Sequence, residues 1–292
     1  GNMDIFALCS LSWLDVTLLL VVIGYFVMAK RAQNRLKERC VNGEYVGKRV
    51  FITGGGSELD FETTKLRGIG AELAIQFSKL GAELVITGRN LKKLELTASL
   101  CKDPSKVKCY ALDMEDPEYV HKWCTEHAKE IRSLDVLIHN AGLSMRDQFL
   151  NTEIDLGMRL LNVNFLSIFA MTKAFMPIMN NKGDGSVVVG IGSMSGIHGS
   201  GLRTMYSATK GAIDGFFKSM LCELKRPSEG LNIHSMIVHP GYVQTNVSKN
   251  ALVGDGKKNF GKTDSNIRNG LSVEKCCNII IDSITSRKTE VW

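Results

Sequence analysis

Proline is scarce in this sequence, 5 residues in 292, and neither a repeat nor a low-complexity tract occurs, which excludes a collagen-like fibre and a disordered tail. Cysteine is present but unpatterned. Cys9, Cys40, Cys101, Cys109, Cys124, Cys222, Cys276 and Cys277 form no CxxC pair and no Cys/His metal spacing. They read as mostly buried free thiols, with no metal site and no disulfide-stapled miniprotein. An excess of one charge is also lacking. Residues 1–39 hold five positive and three negative charges, +2 of the total +6, so the rest of the chain carries +4. A body this near neutral lacks the concentrated basic face of a nucleic-acid binder.

What is present begins with LSWLDVTLLLVVIGYFVMA over residues 11–29, whose sole charge is Asp15. Nineteen residues at about 1.5 Å each nearly match a hydrocarbon core of roughly 30 Å. Trp13 and Tyr25 stand near its two ends, and Lys30, Arg31, Arg35, Lys37 and Arg39 follow. No basic region precedes the run and no small-residue cleavage site follows it. The expectation is a tail at 1–10, a single transmembrane helix at 11–29 in contact with the lipid bilayer, a basic linker at 30–45 and a folded domain at 46–292. The basic flank puts the body on the cytosolic side; the sequon Asn246-Val247-Ser248 would be usable only on the other side, so topology stays open.

From Gly47 onward short apolar runs alternate with helical periods. Strands are predicted at 49–53, 83–87, 106–111, 136–139, 185–191 and 232–238, and helices at 71–80, 91–100, 119–131, 156–179 and 206–224. This alternation predicts an α/β fold with a doubly wound parallel sheet covered on both faces. Residues 248–270, rich in Gly, Lys, Asn and Asp, read as a mobile loop beyond the last of these strands.

Three stretches carry chemistry. Thr53-Gly54-Gly55-Gly56-Ser57 follows the first strand, where a glycine-rich turn lets backbone N–H groups approach a pyrophosphate. Arg89 follows the second strand and suits a 2′-phosphate better than a ribose hydroxyl. Tyr206 and Lys210, at i and i+4, share a helix face, where an ammonium beside a phenol would lower the phenol pKa and make it a general acid/base.

Together these pieces resemble the short-chain dehydrogenase/reductase superfamily, a Rossmann fold, over residues 46–292. Thr53-Gly54 is similar to the start of the family's glycine-rich turn and Gly68-Ile69-Gly70 to its end. Asp113 matches the acid that contacts adenine. His139-Asn140-Ala141-Gly142 resembles the NNAG motif with His in place of the first Asn. Asn164, Ser193, Tyr206 and Lys210 match the catalytic set, with Ser167 where the family has Gly. Pro240-Gly241 and Thr245 match the segment closing over the nicotinamide. The N-terminal span and the stretch after Val243 look most like the membrane-anchored branch around dehydrogenase/reductase family member 7 and related retinoid and steroid reductases.

The resemblance implies an NADP-dependent oxidoreductase, with NADP(H) favoured over NAD(H). It would pass a hydride between the cofactor and a carbonyl or alcohol, an apolar retinoid-, steroid- or lipid-like small molecule, as a single-pass protein of the endoplasmic reticulum membrane. A homodimer is a further candidate assembly. Cofactor contacts would come from Thr53, Gly54, Gly56, Ser57, Gly68, Ile69, Gly70, Arg89, Asp113, Asn140, Ala141, Gly142, Tyr206, Lys210, Pro240, Gly241 and Thr245. Ser193 would polarise the substrate oxygen, and Asn164 would hold a relay water. Two departures stand out. Residues 58–67 are inserted in the glycine-rich loop and bring three acids toward the phosphates. The ending Lys288-Thr289-Glu290-Val291-Trp292 resembles the start of the family's last strand, as if the chain were cut there. The alternative reading is therefore a catalytically impaired fold serving as a membrane-tethered binding scaffold.

Overall fold

The computed structural model describes residues 44–56, 68–179, 185–225 and 232–292, the backbone of 59–60 and 65–66, and helical positions 20, 22–24 and 27. Most of the expected membrane span, the linker up to residue 43, Ser57 and most of the 58–67 insert lie outside the described residues. The chain divides into two units, Gly1–Glu44 and Tyr45–Trp292.

In the second unit the elements run β1 (Arg49–Thr53), α1 (Ile69–Lys79), β2 (Glu83–Gly88), α2 (Leu91–Ser99), β3 (Val107–Ala111), α3 (Pro117–Ile131), β4 (Val136–His139), α4 (Ile154–Leu161), α5 (Ser167–Met179), β5 (Ser186–Ile191), α6 (Thr204–Leu224), β6 (Ile233–Val238), α7 (Val273–Thr285) and β7 (Glu290–Val291). The seven strands form one sheet in the order β7-β6-β5-β4-β1-β2-β3, and every pairing is parallel. The doubly wound sheet expected from the sequence is therefore present. The strand order reverses between β1 and β4, where such sheets open a ligand crevice.

Alternation along the strands divides the core into two layers. Val50, Ile52, Leu84, Ile86, Val136 and Ile138 face α1 and α7, meeting Leu73, Phe77, Ile280 and Ile284. Phe51, Val85, Leu137 and Val188 face α3, α5 and α6, meeting Trp123, Phe175, Ile213 and Phe217. Both faces are apolar because helices cover both, so the strands read as continuous hydrophobic runs. Cys101, Cys124, Cys276 and Cys277 are buried free thiols in these layers, and burial raises the pKa of each.

Helix ends follow their capping residues. Asn90 and Asp116 accept from the backbone N–H groups of Lys93 and Tyr119 at 3.1 and 3.0 Å, and Pro117 opens α3. Gly68 caps α1 without a side-chain bond. Between α4 and α5, residues Asn162–Leu166 form a π-helical turn, a widening found mostly at functional sites. The continuous helix 154–179 is apolar and long enough to cross a membrane, yet half of its apolar window is buried within the protein. It is a core helix, and it lies elsewhere than the N-terminal span the sequence predicts.

Three expectations change in detail. Residues 248–270 contain a two-stranded antiparallel pair, Leu252–Val253 with Lys258–Asn259, and a short helix, Ser265–Arg268, rather than an unstructured loop. Leu252 exchanges backbone bonds with Ser144 and Arg146 at 2.8 and 2.9 Å, and Gly254, at φ +56°, donates its N–H to Asp147 Oδ2 at 2.8 Å, so polar contacts hold the segment despite its composition. Helix α7 was not predicted. Its Cys276, Cys277, Ile280, Ile281 and Ile284 do follow the helical period and fill the core. Edge strand β7 is tied to α6 by the Lys218 ammonium, 2.9 Å from Asp214 and 3.0 Å from Glu290. His239 joins these two carboxylates at 3.2 Å each, with the ammonium as the cation they hold.

Gly190 in β5 lies under the Phe217 ring, and a Cβ there would come 2.6 Å from Phe217 Cε2. Phe217 is buried and has no room to retreat. Gly190→Ala is expected to cost about 1–3 kcal/mol by overpacking. Urea unfolding checks this, and an unchanged midpoint would show that the layer is looser than described.

Candidate active site

A cleft of about 1220 Å³ opens at the carboxyl ends of the strands. Its wall includes Gly54, Gly56, Gly68, Ile69, Arg89, Asp113, Asn140, Ala141, Gly142, Ser193, Tyr206, Lys210, Pro240, Gly241 and Thr245. Fifteen of the residues picked from the sequence thus converge on one surface. Thr53, Gly70 and Asn164 stand behind it.

Those three act on the wall from inside. The Thr53 hydroxyl accepts from the backbone N–H groups of Asn140 and Ala141 at 3.0 and 2.9 Å. Asn140 Nδ2 returns bonds to the Thr53 and Gly54 carbonyls at 2.9 and 3.2 Å. Gly54 needs its positive φ of +68° to make this turn, and any Cβ on Gly70 would overlap the Gly54 carbonyl oxygen. Asn164, fully buried in the π-turn, accepts from Leu143 N at 2.7 Å and donates to Leu143 O at 2.9 Å and Thr209 Oγ1 at 3.0 Å. Both Nδ2 protons are used in these bonds, while Oδ1 keeps one lone pair beyond its bond from Leu143 N. The segment after β4 is held open over Gly142.

His139 takes the place of the family's first Asn. It is buried, donates from Nε2 to Thr172 Oγ1 at 2.8 Å, and burial lowers its pKa to about 3, so it is neutral. Thr172 gives its own proton to the Ile168 carbonyl, which fixes the tautomer. Ser167 donates to the Met114 carbonyl at 2.7 Å, pinning the chain between Asp113 and Glu115.

At the reactive end Tyr206 and Lys210 project from the first two turns of α6, both buried. The Ser193 hydroxyl stands near enough to the phenol to favour its ionised form, and accepts from Ser195 N at 3.2 Å. The effect on Tyr206 is opposite to the sequence expectation. Burial raises its pKa, and Ser193 and Arg203 oppose that only in part. Lys210 does not counter it: its ammonium donates to the Ile191 carbonyl at 2.7 Å and lies 5.8 Å from the Tyr206 ring centroid. Burial lowers the Lys210 pKa to about 8. At neutral pH the site therefore holds a protonated phenol beside a buried cation.

The far end carries Asp113, exposed and accepting from Glu115 N at 3.1 Å, and Arg89. Arg89 is 56% exposed and 3.5 Å from Glu115, which the Arg159 Nε meets more closely at 2.7 Å. Arg159, Glu115, Arg146, Arg203 and Asp264 line the cleft and were not picked from the sequence. No short motif contains them, and the partners of Arg146 and Arg159 lie 118 and 44 residues away.

The short chain dehydrogenase family model matches residues 48–254. The chain belongs to this family. Among curated relatives, dehydrogenase/reductase SDR family member 7B of Xenopus tropicalis is 31% identical over 96% of this chain and 86% of its own length. The mouse member 7B is 30% identical over 88% and 76%, and human member 7 is 30% identical over 83% and 69%. Solved short-chain dehydrogenases share the fold. One from Escherichia coli complexed with NADPH has a TM-score of 0.69 at 20% identity, covering 85% of this chain and 96% of its own. Another, from Sphingobium yanoikuyae with NADPH, has a TM-score of 0.67 at 23% identity, covering 84% and 87%.

The buried Lys210 sets a pH dependence. Between its folded pKa of about 8 and the ordinary 10.5, the unfolded chain binds more protons than the folded one. Stability contributed by this group is therefore low below pH 8 and rises as pH climbs through that window, by on the order of 3 kcal/mol. Lys210→Met is expected to abolish that rise. Urea unfolding of both proteins at pH 7.5 and 10.5 tests it, and parallel pH slopes would contradict it.

Proposed function

We propose that this protein is an NADP(H)-dependent carbonyl reductase, able to run in reverse on the alcohol, whose catalytic group is Tyr206. The observation that carries the reading is the meeting of Ser193, Tyr206 and Lys210 at one end of a cleft whose other end is walled by Gly54, Gly68, Asp113 and Arg89. The residues fit an elongated dinucleotide. The uncapped start of α1, at Gly68 and Ile69, lines the cleft, so its N–H groups and positive dipole end are available to phosphates. That supports an enzyme over the scaffold reading, insert notwithstanding.

When bound, a reduced nicotinamide supplies the hydride that goes to the carbonyl carbon. Tyr206 gives its phenolic proton to the carbonyl oxygen, and its raised pKa keeps that proton in place until charge develops. Ser193 donates to the same oxygen. Lys210 has donors left beyond its bond to Ile191 for ribose hydroxyls, and its charge stabilises the phenolate left behind. Asn164 is a positioning residue. Arg89, loosely held by Glu115, can turn to a 2′-phosphate. The NADPH bound by the two solved relatives agrees with this choice.

A pure hydrocarbon retinoid or steroid skeleton would leave the Ser144 hydroxyl and the Arg203 guanidinium without a partner in the cleft. The reading favours a carbonyl compound that also carries polar groups. Residues 11–29 serve as a single-pass anchor, in the endoplasmic reticulum by resemblance to the membrane-anchored branch, on the strength of their length and composition.

Tyr206→Phe is expected to lower turnover at least 100-fold, within the ~10²–10⁴ range of general acids, while calorimetric NADPH affinity stays nearly unchanged. Arg89→Ala should weaken NADPH at least about tenfold and NADH little, as expected for loss of a charge-assisted contact. Retention of more than about a tenth of the activity in Tyr206→Phe would remove its role as acid. For the anchor, the full chain should stay with membranes through a carbonate wash; release into the supernatant would refute it.

A further inference from the structure

We infer that the substrate end of the cleft selects carbonyl compounds bearing an anionic group, a carboxylate or a phosphate, and that Arg203 is the residue that binds it. The inference rests on the carbonyl-reductase reading above.

Two guanidinium groups and one carboxylate face that end of the cleft. Arg146 and Asp264 satisfy each other, with Nη1 2.7 Å from Oδ2, and the Arg146 guanidinium lies 4.8 Å from the Phe260 ring centroid. Asp264 also caps the helix Ser265–Arg268 by accepting from Asn266 N at 3.0 Å, so it is fully committed. Arg203 lines the same wall, half-buried, and has no ion pair among the described residues.

Other carboxylates are spent elsewhere. Asp147, whose N–H bonds the Leu202 carbonyl, accepts from Gln148 N, Asn151 Nδ2 and Gly254 N. Glu115 holds Arg159 at the far end. Arg203 is nonetheless close enough to act electrostatically on both Tyr206 and Asp264. A partly desolvated cation with no ion pair of its own, its nearby carboxylate Asp264 already bonded to Arg146, and standing about one helical turn before the proton donor, is a site for an anion carried by the substrate. One turn is about 5.4 Å, which roughly three methylenes between the carbonyl carbon and the anionic group would span.

The test uses the full chain saturated with NADPH. The probes are 5-oxohexanoate, its methyl ester, and the oxoalkyl phosphate of matched length. Acid and phosphate should exceed the ester at least tenfold in kcat/KM, mostly through KM, and their ratio to each other tells which anion the site prefers. Arg203→Gln should bring acid and ester within about twofold, and Arg203→Lys should restore much of the preference. Lys102→Gln, an exposed cation outside the cleft, removes the same net charge and should leave the ratio as it was.

An ester as good as the acid, or a preference that survives Arg203→Gln, would overturn the inference. Should no carbonyl be reduced, the reductase reading fails, and binding decides the inference separately. A melting temperature of the NADPH-saturated protein raised by the acid, but not the ester, would uphold anion selection. Equal shifts, or none, would refute it.

Discussion

The Thr53 hydroxyl and the Asn140 amide join the turns that leave β1 and β4, on the two sides of the point where the strand order reverses. A parallel sheet fixes where strands end but not how the loops beyond them stand. Here four hydrogen bonds fix that, and each satisfies a backbone group that would otherwise be stranded beside the cleft floor. Gly54 and Gly70 let the two backbones come this close. Asn164 extends the same logic one loop further, since its amide holds both polar groups of Leu143. The cleft is therefore shaped by the buried side chains of Thr53 and Asn164, which do not reach its surface, and by Asn140, which bonds inward from its wall.

Desolvation outweighs proximity at the reactive end. A lysine four residues from a tyrosine on a helix suggests a phenolate stabilised by an ammonium. In the folded protein the ammonium turns to the Ile191 carbonyl, and burial penalises both charged forms. The result suits reduction: a phenol that keeps its proton until the substrate oxygen needs it, beside a cation held ready for the phenolate. The same competition leaves His139 neutral beneath the sheet's carboxyl end, where an imidazole replaces an amide without importing charge.

Much of this was legible in advance where the signal is local. The strands Arg49–Thr53 and Val136–His139 match their predicted limits, because apolar runs ended by turn residues leave little choice. The cleft-lining residues were legible through motif spacing. What escaped depends on contacts across long stretches of chain. Arg146 meets Asp264 118 residues away, and Arg159 meets Glu115 44 residues away, so neither pair leaves a pattern in a short window. The Tyr206 pKa was misjudged because a pair of residue types carries no information about solvent access. The segment 248–270 was misjudged because its polar composition hides how many of its groups are satisfied internally.

The first of these strands to leave the ribosome, β1, ends up inside the sheet with a neighbour on each edge. β2 covers one edge of β1 early, with Val50 opposite Leu84, but the other edge waits for β4, where Val50 meets Val136, 86 residues later. At about 5–20 residues per second that interval is roughly 4–17 s. Throughout it Val50, Phe51 and Ile52 present an unpaired apolar edge, the kind of surface that invites mispairing. The topology that creates the crevice thus also sets a period of vulnerability during synthesis, and the chain's demand for chaperone protection should be greatest before residue 136 emerges.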